Sequence, residues 1–244
     1  MNYAAILAGG VGSRSGLDYP KQFYKIEGKP IIIYTIEKIV SSKLMDQVYV
    51  AVVADYFDYT KQLLEEYQLQ DKVVLLTGGN TRMETIDRVI DAITNHNEIT
   101  EHDIILIHDA VRPFITNQIM KDSIEGAMKY GATVATIPVV DTIVASTDKE
   151  KVNSIPNRNE LFSGQAPDTF RLKEFIQMEK NLTPEQKLQA TGTSQVCTFN
   201  HKDIYMVKGD PINFKITTST DLLLAEKIIE GGFYEKNSEY TKSM

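Results

Sequence analysis

A glycine-rich segment with two basic side chains beyond it follows the first apolar stretch of the chain. The segment reads Leu7-Ala8-Gly9-Gly10, and Arg14 and Lys21 come after it. Glycine lets backbone N–H groups approach a phosphate because it has no Cβ, while arginine offers a planar fork of donors and lysine a compact charge. No Gly-Lys-Ser/Thr sequence closes the segment, so it is not a P-loop, and Ser15 stands where the dinucleotide fingerprint has its third glycine. The pattern favours triphosphate binding over the alternative, a tight solvated connection.

A second glycine pair, Gly78-Gly79, opens a predicted helix. The residues behind it are Asn80, Thr81, Arg82, Met83, Glu84 and Thr85. Helix N-termini attract anions and offer free N–H groups, which predicts an anion contact here. A plain capping turn, with Asn80 or Thr81 as the N-cap, explains the same residues equally well.

An acid and a cation, Asp109 and Arg112, come directly after a buried apolar run. Asp109 is a candidate ligand of Mg²⁺ or a candidate acceptor of substrate hydroxyl groups. The alternative is a local ion pair between Asp109 and Arg112 that shapes the turn. The histidines lack the spacing of a metal site, and Cys197 is predicted to be a small buried residue without a partner for zinc.

Short apolar runs alternate with helical patterns along the chain. The predicted strands cover residues 3–8, 47–54, 72–77, 103–108, 133–138, 203–207 and 213–217. The predicted helices cover residues 30–40, residues 83–93, a segment capped by Thr116 and stopped by Gly131, and a last segment from Thr220 to Gly231. The alternation predicts an α/β protein with a Rossmann-like, mostly parallel mixed sheet flanked by helices. Such sheets bind ligands at the carboxyl ends of their strands, where all three loops lie.

Composition limits the class of protein. The chain has 244 residues, 42% of them hydrophobic and 24% charged, which allows a sizeable core and excludes disordered and disulfide-scaffold proteins. We expect one domain over residues 1–234, a protruding β-arm at about 141–165 and a frayed tail at 235–244. The net charge of −7 argues against a nucleic-acid partner. No apolar run reaches the ~20 residues of a membrane span, and the N-terminus lacks the basic region of a signal peptide, so a cytoplasmic location is expected.

Taken together, these motifs resemble those of the cytidylyltransferases that couple CTP to a sugar-alcohol phosphate. The resemblance covers about residues 2–229, and its segments follow one another in the family's order. They are Leu7-Ala8-Gly9-Gly10-Val11-Gly12-Ser13-Arg14, Pro20-Lys21-Gln22-Phe23, Gly78-Gly79 with Arg82, His108-Asp109-Ala110-Val111-Arg112-Pro113, Asp141-Thr142, and Asn213-Phe214-Lys215-Ile216-Thr217. One such segment is weak, but the ordered set is specific.

The resemblance implies a role for each segment, with Mg²⁺ as the cofactor. Arg14 and Lys21 would contact the triphosphate and the transition state, while Leu7–Gly10 and Gly79–Thr85 would frame the cytidine. Arg158 and Lys215 would hold the polyol phosphate, and Asp109, Arg112 and Thr142 would lie near the polyol or the metal. In relatives the arm reaches across a homodimer, which would bring Thr142 and Arg158 to the neighbouring subunit's site.

Two branches of the family differ in their acceptor, D-ribitol 5-phosphate or 2-C-methyl-D-erythritol 4-phosphate. Three features resemble the ribitol branch, which is the expected one: Leu7-Ala8-Gly9-Gly10, Ile155-Pro156-Asn157-Arg158 leading to Gly164-Gln165-Ala166-Pro167, and Leu182-Thr183-Pro184-Glu185-Gln186-Lys187. The product would then be CDP-ribitol, with the erythritol branch as the alternative. A catalytically silent nucleotide-binding subunit is a further alternative, which the four cations Arg14, Lys21, Arg158 and Lys215 oppose.

Overall fold

The computed structural model describes residues 1–10, 18–190 and 192–232. Within these residues the strands are β1 (Asn2–Ala8), β2 (Lys25–Ile26), β3 (Lys29–Pro30), β4 (Gln47–Val52), β5 (Val74–Thr77), β6 (Ile104–Asp109), β7 (Ala132–Pro138), β8 (Phe162–Arg171) and β9 (Tyr205–Lys208). The helices are α1 (Ile31–Ser41), α2 (Phe57–Glu66), α3 (Arg82–Thr94), α4 (Asn117–Tyr130), α5 (Leu172–Lys180), α6 (Pro184–Gln189), α7 (Gln195–Phe199) and α8 (Ser219–Glu230). Short 3₁₀ turns cover Lys21–Phe23, Ala54–Tyr56 and Arg158–Glu160.

Seven strands form one twisted sheet in the order β5-β4-β1-β6-β8-β7-β9. Every neighbouring pair is parallel except the two that involve β8, which runs antiparallel between β6 and β7. The predicted α/β fold with a mostly parallel mixed sheet is therefore confirmed. None of the helices in the described part of the chain is long and apolar enough to cross a bilayer.

Helices cover both faces of the sheet, and successive residues of each inner strand pack to opposite sides. On β1, Ile6 faces a cluster with helices α1, α2 and α4, whereas Ala5 and Leu7 face a cluster with α3 and α5. Such double burial explains why the strands are apolar at consecutive positions. The core thereby fixes the strand ends on which the loops of the site are mounted.

Helix ends follow the capping signals closely. The Thr116 hydroxyl accepts from the N–H of Ile119, and Gly131 ends α4 with φ of 94°, as predicted. The predicted start of the last helix at Thr220 is wrong by one position, because Thr218 and Asp221 form a capping box that begins the helix at Ser219.

Two predicted elements differ from the structure. Residues 213–217 form a loop instead of a strand, because the N–H of Ile216 donates to Val111 O in the neighbouring loop and its side chain packs with α8. The arm spans residues 139–161 with one isolated bridge, Ala145 to Ser154, so its predicted end at residue 165 is wrong. Residues 162–165 belong to β8, whose antiparallel course the periodicity does not reveal.

Candidate active site

The carboxyl ends of β1 and β6 form the centre of the site. Leu7 of β1 lies beside Asp109 of β6 in the parallel register, and the N–H of Ala110 donates to Leu7 O at 3.0 Å. The glycine segment and the acidic loop, separate in sequence, therefore meet at one edge of the sheet, as the rule for parallel sheets predicts.

Gln22 holds the glycine segment in place. Its side-chain nitrogen donates to Ala8 O at 2.8 Å and to Gly10 O at 3.1 Å, and the residue is 2% exposed. Lys21 precedes it in the 3₁₀ turn and is itself buried. Arg14, the other predicted catalytic cation, lies outside the described residues.

The start of α3 is a capping turn. The Thr81 hydroxyl accepts from the N–H of Glu84 at 3.1 Å, so Thr81 is the N-cap. The N–H of Gly79 donates to the Thr85 hydroxyl at 3.0 Å, and the N–H of Asn80 donates to Glu84 Oε2 at 2.8 Å. These two N–H groups are engaged by side chains of the helix, which is the capping turn that the sequence offered as the alternative.

Glycine is required at position 79 for steric reasons. A Cβ there would lie 2.3 Å from the Cβ of Glu84 and 2.9 Å from its carbonyl carbon, far inside contact distance. The backbone of this loop can therefore run directly over the first turn of α3, close to the glycine segment.

A cavity of about 220 Å³ lies between the glycine segment and α3. Its lining consists of Leu7, Gly9, Gly10, Gly79, Asn80, Thr81, Arg82 and Thr85. Most of the residues predicted to frame a nucleotide thus share one cavity. Ala8 and Met83 are exceptions, since both are buried in the core, and Glu84 lies at its exposed edge.

Three cations surround the carboxylate of Asp109. Arg82 Nη1 lies 3.0 Å from Oδ1, while Arg112 Nε and Lys215 Nζ lie 3.2 Å and 3.1 Å from Oδ2. Burial alone would raise the pKa of Asp109, but the three cations together hold it well below its usual range. The local ion pair with Arg112, one alternative from the sequence, is present as part of this larger cluster.

This arrangement does not fit the predicted role of Asp109 as a metal ligand. Both carboxylate oxygens are already paired, and the adjacent guanidinium and ammonium groups would repel a divalent cation. Within the described ranges, no three His, Cys, Asp or Glu side chains come together as a metal site. Asp109 instead orients Arg82, Arg112 and Lys215.

His108 shapes the loop that carries Arg112. Its side chain is fully buried, and Nε2 donates to Arg112 O at 3.0 Å. Burial lowers the pKa of His108 to about 4, so the ring is neutral at pH 7. The residue therefore has a structural role in this loop.

Strand β8 brings further polar groups to the cations. The pairing advances by two residues along β7, from Val134 to Thr136, and by four along β8, from Asp168 back to Gly164, so β8 bulges at this point. In the bulge, Gln165 donates to Asp210 O and accepts from its N–H, while Asn213 Nδ2 donates to Ala166 O at 2.7 Å. The bulge thereby anchors the loop that leads to Lys215.

A second cavity, of about 270 Å³, adjoins the first. It is lined by Arg82, Asp109, Arg112, Val134, Gly164, Gln165, Ala166, Asp168, Gly192, Ser194, Gln195 and Lys215. Arg82 lines both cavities and links them. The motifs did not indicate Asp168 or Ser194, and Gln165 and Ala166 were noted only as features of a family branch.

Asp168 is a buried carboxyl group of this second cavity. It is 6% exposed, and its Oδ2 accepts from the N–H of Ser194 at 3.1 Å. Burial raises the pKa of Asp168 to about 6, with Arg82 opposing and Asp109 adding to the shift. The group is therefore mainly ionised at neutral pH, and it adds a carboxylate to a cavity that also contains Arg82, Arg112 and Lys215.

Helix α6 supports the loop that carries Ser194. Lys187 on α6 contacts the buried carboxylate of Glu179 on α5 and lies 3.4 Å from Asp87 Oδ2 on α3. Thr193, in the loop itself, accepts from Arg82 Nε at 3.3 Å. The contact of Lys187 with Asp87 and the hydrogen bond of Thr193 with Arg82 thus both hold this part of the chain against α3.

The two remaining predicted residues do not join the cluster within one chain. Thr142 and Arg158 are exposed on the arm, where Arg158 Nη1 donates to Val140 O at 2.9 Å. Neither residue lines the second cavity, which contains the other three residues predicted to contact the acceptor.

The sheet order, the strand-end site and the paired cavities define an α/β nucleotidyltransferase. Residues 3–231 match the family described as IspD: 2-C-methyl-D-erythritol 4-phosphate cytidylyltransferase. The chain belongs to this family, whose members are CTP-dependent cytidylyltransferases. This match favours the erythritol branch, whereas the sequence motifs favour the ribitol branch.

Solved structures agree with the assignment of the fold. The 2-C-methyl-D-erythritol 4-phosphate cytidylyltransferase of Francisella tularensis is 26% identical, covers 92% of this chain and 97% of its own, and superposes with a TM-score of 0.77. The 4-diphosphocytidyl-2C-methyl-D-erythritol synthase of Anaerococcus prevotii is 24% identical over 94% and 96% of the two chains, with a TM-score of 0.77. The 2-C-methyl-D-erythritol 4-phosphate cytidylyltransferase of Thermus thermophilus is 23% identical over 93% and 98%, with a TM-score of 0.71.

Proposed function

We propose that the protein transfers CMP from CTP to 2-C-methyl-D-erythritol 4-phosphate and releases pyrophosphate. The observation that carries the proposal is the pair of adjacent cavities joined by Arg82, one lined by the glycine segment and the other by Arg112 and Lys215. Two phosphorylated reactants can meet at such a junction. The family match over residues 3–231 supports the choice of acceptor.

The reaction needs no general base from the protein. The second pKa of a phosphate monoester is about 6, so the acceptor is mostly dianionic at pH 7. One of its oxygens attacks the α-phosphorus of CTP in line, and pyrophosphate leaves. The difficulty is the repulsion between two polyanions, which fixed cations reduce by positioning and electrostatic stabilisation.

The chain's own side chains divide this work. The first cavity receives the cytidine between the two glycine loops. Arg112 and Lys215, oriented by Asp109, hold the phosphate of the acceptor. Lys21 and Arg14 are assigned to the triphosphate and the transition state.

Magnesium belongs to the triphosphate in this proposal. Mg²⁺ is commonly bound through substrate phosphates, with several waters retained. Because Asp109 is fully paired with cations, we assign the ion to the phosphate oxygens of CTP and give Asp109 no part in its coordination.

A homodimer formed through the arm completes the proposal. Large apolar side chains are exposed along this segment, including Val144 (53%), Val152 (57%) and Ile155 (63%), which is unusual for an isolated surface. A second copy of the chain would cover them. The same arrangement would carry Thr142 and Arg158 to the acceptor of the other subunit.

D-Ribitol 5-phosphate is the second candidate acceptor. Besides the three sequence features of the ribitol branch, the polar lining of the second cavity favours an acceptor with many hydroxyl groups. Gln165 and Asp168 contribute side chains to it, against the small apolar surfaces of Val134 and Ala166.

A direct competition of acceptors tests the proposal. Purified protein with CTP and Mg²⁺ is given each polyol phosphate separately, and pyrophosphate release is measured. Faster turnover of 2-C-methyl-D-erythritol 4-phosphate is the expected result. Faster turnover of D-ribitol 5-phosphate would assign the protein to the ribitol branch. An absence of pyrophosphate release with both polyol phosphates would contradict the proposed activity.

A further inference from the structure

The second cavity contains cationic side chains together with the carboxylate of Asp168, and the two kinds of group suit different parts of an acceptor. Arg112 and Lys215 suit a phosphate, whereas Asp168 would repel one. An ionised carboxylate only accepts hydrogen bonds, so the groups that suit Asp168 are donors, such as hydroxyl groups on a carbon chain.

Asp168 is fixed in position by its surroundings. It pairs with Ile107 on one side and Val134 on the other within the sheet, and the N–H of Ser194 binds one of its oxygens. The Thr193 side chain also stabilises its charged form. A carboxylate offers about four acceptor positions, so these contacts leave capacity for a ligand.

Resting on the proposed function, we infer that Asp168 binds hydroxyl groups of the acceptor's carbon chain and thereby selects acceptors by their hydroxylation. A site built to bind a substrate hydroxyl discriminates strongly against an analogue that lacks it, because the buried protein group is then left unpaired. Asp168 is thus a specificity-determining residue, and the phosphate of the acceptor binds at Arg112 and Lys215.

The test compares Asp168→Asn and Asp168→Ala with the wild-type enzyme. The KM for each of the two polyol phosphates and the KM for CTP are measured by pyrophosphate release, and acceptor binding is measured independently by calorimetry. We expect the acceptor KM to rise by about 10- to 100-fold in the alanine variant, in line with the loss of a hydrogen bond to a charged group. The KM for CTP should stay within about twofold, since the nucleotide occupies the other cavity.

Deoxy analogues of the acceptor provide the sharper comparison. If Asp168 binds a hydroxyl group, the wild-type enzyme discriminates against the analogue lacking that group, and the alanine variant loses the discrimination. Asp203→Asn makes the same chemical change at an exposed position and is the control. Thermal unfolding identifies any variant that fails to fold, and the near-isosteric asparagine variant then decides.

The outcomes separate this inference from the proposed function. Normal wild-type turnover with unchanged acceptor KM and unchanged discrimination in both variants would overturn the role of Asp168 alone. An equal rise in the KM values for CTP and acceptor would also overturn it, since that indicates general disruption. Absence of both turnover and acceptor binding in the wild-type protein would overturn the proposed function and this inference together.

Discussion

Arg82 Nη1 donates to Asp109 Oδ1 at 3.0 Å and so joins the first turn of α3 to the last residue of β6. This contact connects the two cavities, because Arg82 lines both of them while Asp109 lines only the second. The same carboxylate also holds Arg112 and Lys215, so one acid arranges three cations that are distant in sequence. The geometry of the proposed acceptor cavity therefore depends on Asp109, which in the proposal contacts neither CTP nor the phosphate of the acceptor.

Replacement of Asp109 by asparagine should impair both activity and stability. Arg82, Arg112 and Lys215 would then lie close together without the negative charge of Asp109 between them. Breaking a buried ion pair typically lowers the free energy of unfolding by about 3–5 kcal/mol. We expect kcat/KM to fall by about 10²-fold as the cations lose their orientation. Denaturant unfolding and pyrophosphate release measure the two effects. Asp71→Asn, at an exposed position, is the control, and wild-type values in Asp109→Asn would contradict the organising role.

Lys21→Ala should lose most of its turnover while keeping its fold. Removal of one transition-state donor typically lowers kcat by about 10²–10³-fold. Lys25→Ala is a matched control, since Lys25 lies four residues further on and is exposed. Steady-state rates at saturating CTP and acceptor compare the two variants, and near-normal turnover in Lys21→Ala would rule out the assignment.

Lys187→Met should destabilise the protein more at pH 8 than at pH 5. Burial, followed by the neighbouring Glu179, raises the pKa of Asp87 to about 6, and Lys187 opposes the shift. A carboxyl group whose pKa is raised by folding favours the folded state below its unfolded pKa, and this contribution is lost as the pH rises through about 6. Without Lys187, the repulsion between the ionised carboxylates of Asp87 and Glu179 is less compensated. The loss in Tm at pH 8 should therefore be about 3–6 °C.

Thermal unfolding at the two pH values measures this difference. Lys173→Met, which removes the exposed contact with Glu101, is the control and should change Tm little at either pH. An equal loss for Lys187→Met at pH 5 and pH 8 would refute the electrostatic explanation.

Mixing two inactive variants tests whether the arm serves the neighbouring subunit. Arg158→Ala and Lys215→Ala should each abolish acceptor binding when assayed alone. If each site combines Lys215 of one subunit with Arg158 of the other, a mixed dimer contains one intact site. Statistical exchange between the variants should therefore restore about one quarter of the wild-type activity in a symmetric dimer.

The oligomeric state provides the control for that experiment. Val144→Asp and Ile155→Asp replace exposed apolar side chains of the arm, and light scattering should then report a monomer. Once the exchange of subunits has been verified, a failure to recover activity would show that Arg158 acts within its own chain or not at all.

The sequence was sufficient for the parts of the structure that local patterns determine. The caps of α4, the parallel strands and the convergence of Leu7 with Asp109 follow from periodicity and from the geometry of parallel sheets. The position of Asp168 does not. It depends on the antiparallel insertion of β8 and on a bulge within it, and both are set by tertiary pairing. For the same reason, the loop at 213–217 resembled a strand although its N–H groups bond elsewhere.

In the proposed function, β8 contributes to the acceptor cavity and takes no part in the nucleotide cavity. The nucleotide cavity is built on β1 and α3, in the N-terminal half of the chain. Strand β8 and the loop that it anchors come from the C-terminal half. Substitutions along one strand can thus re-tune which alcohol phosphate is accepted without touching the glycine loops.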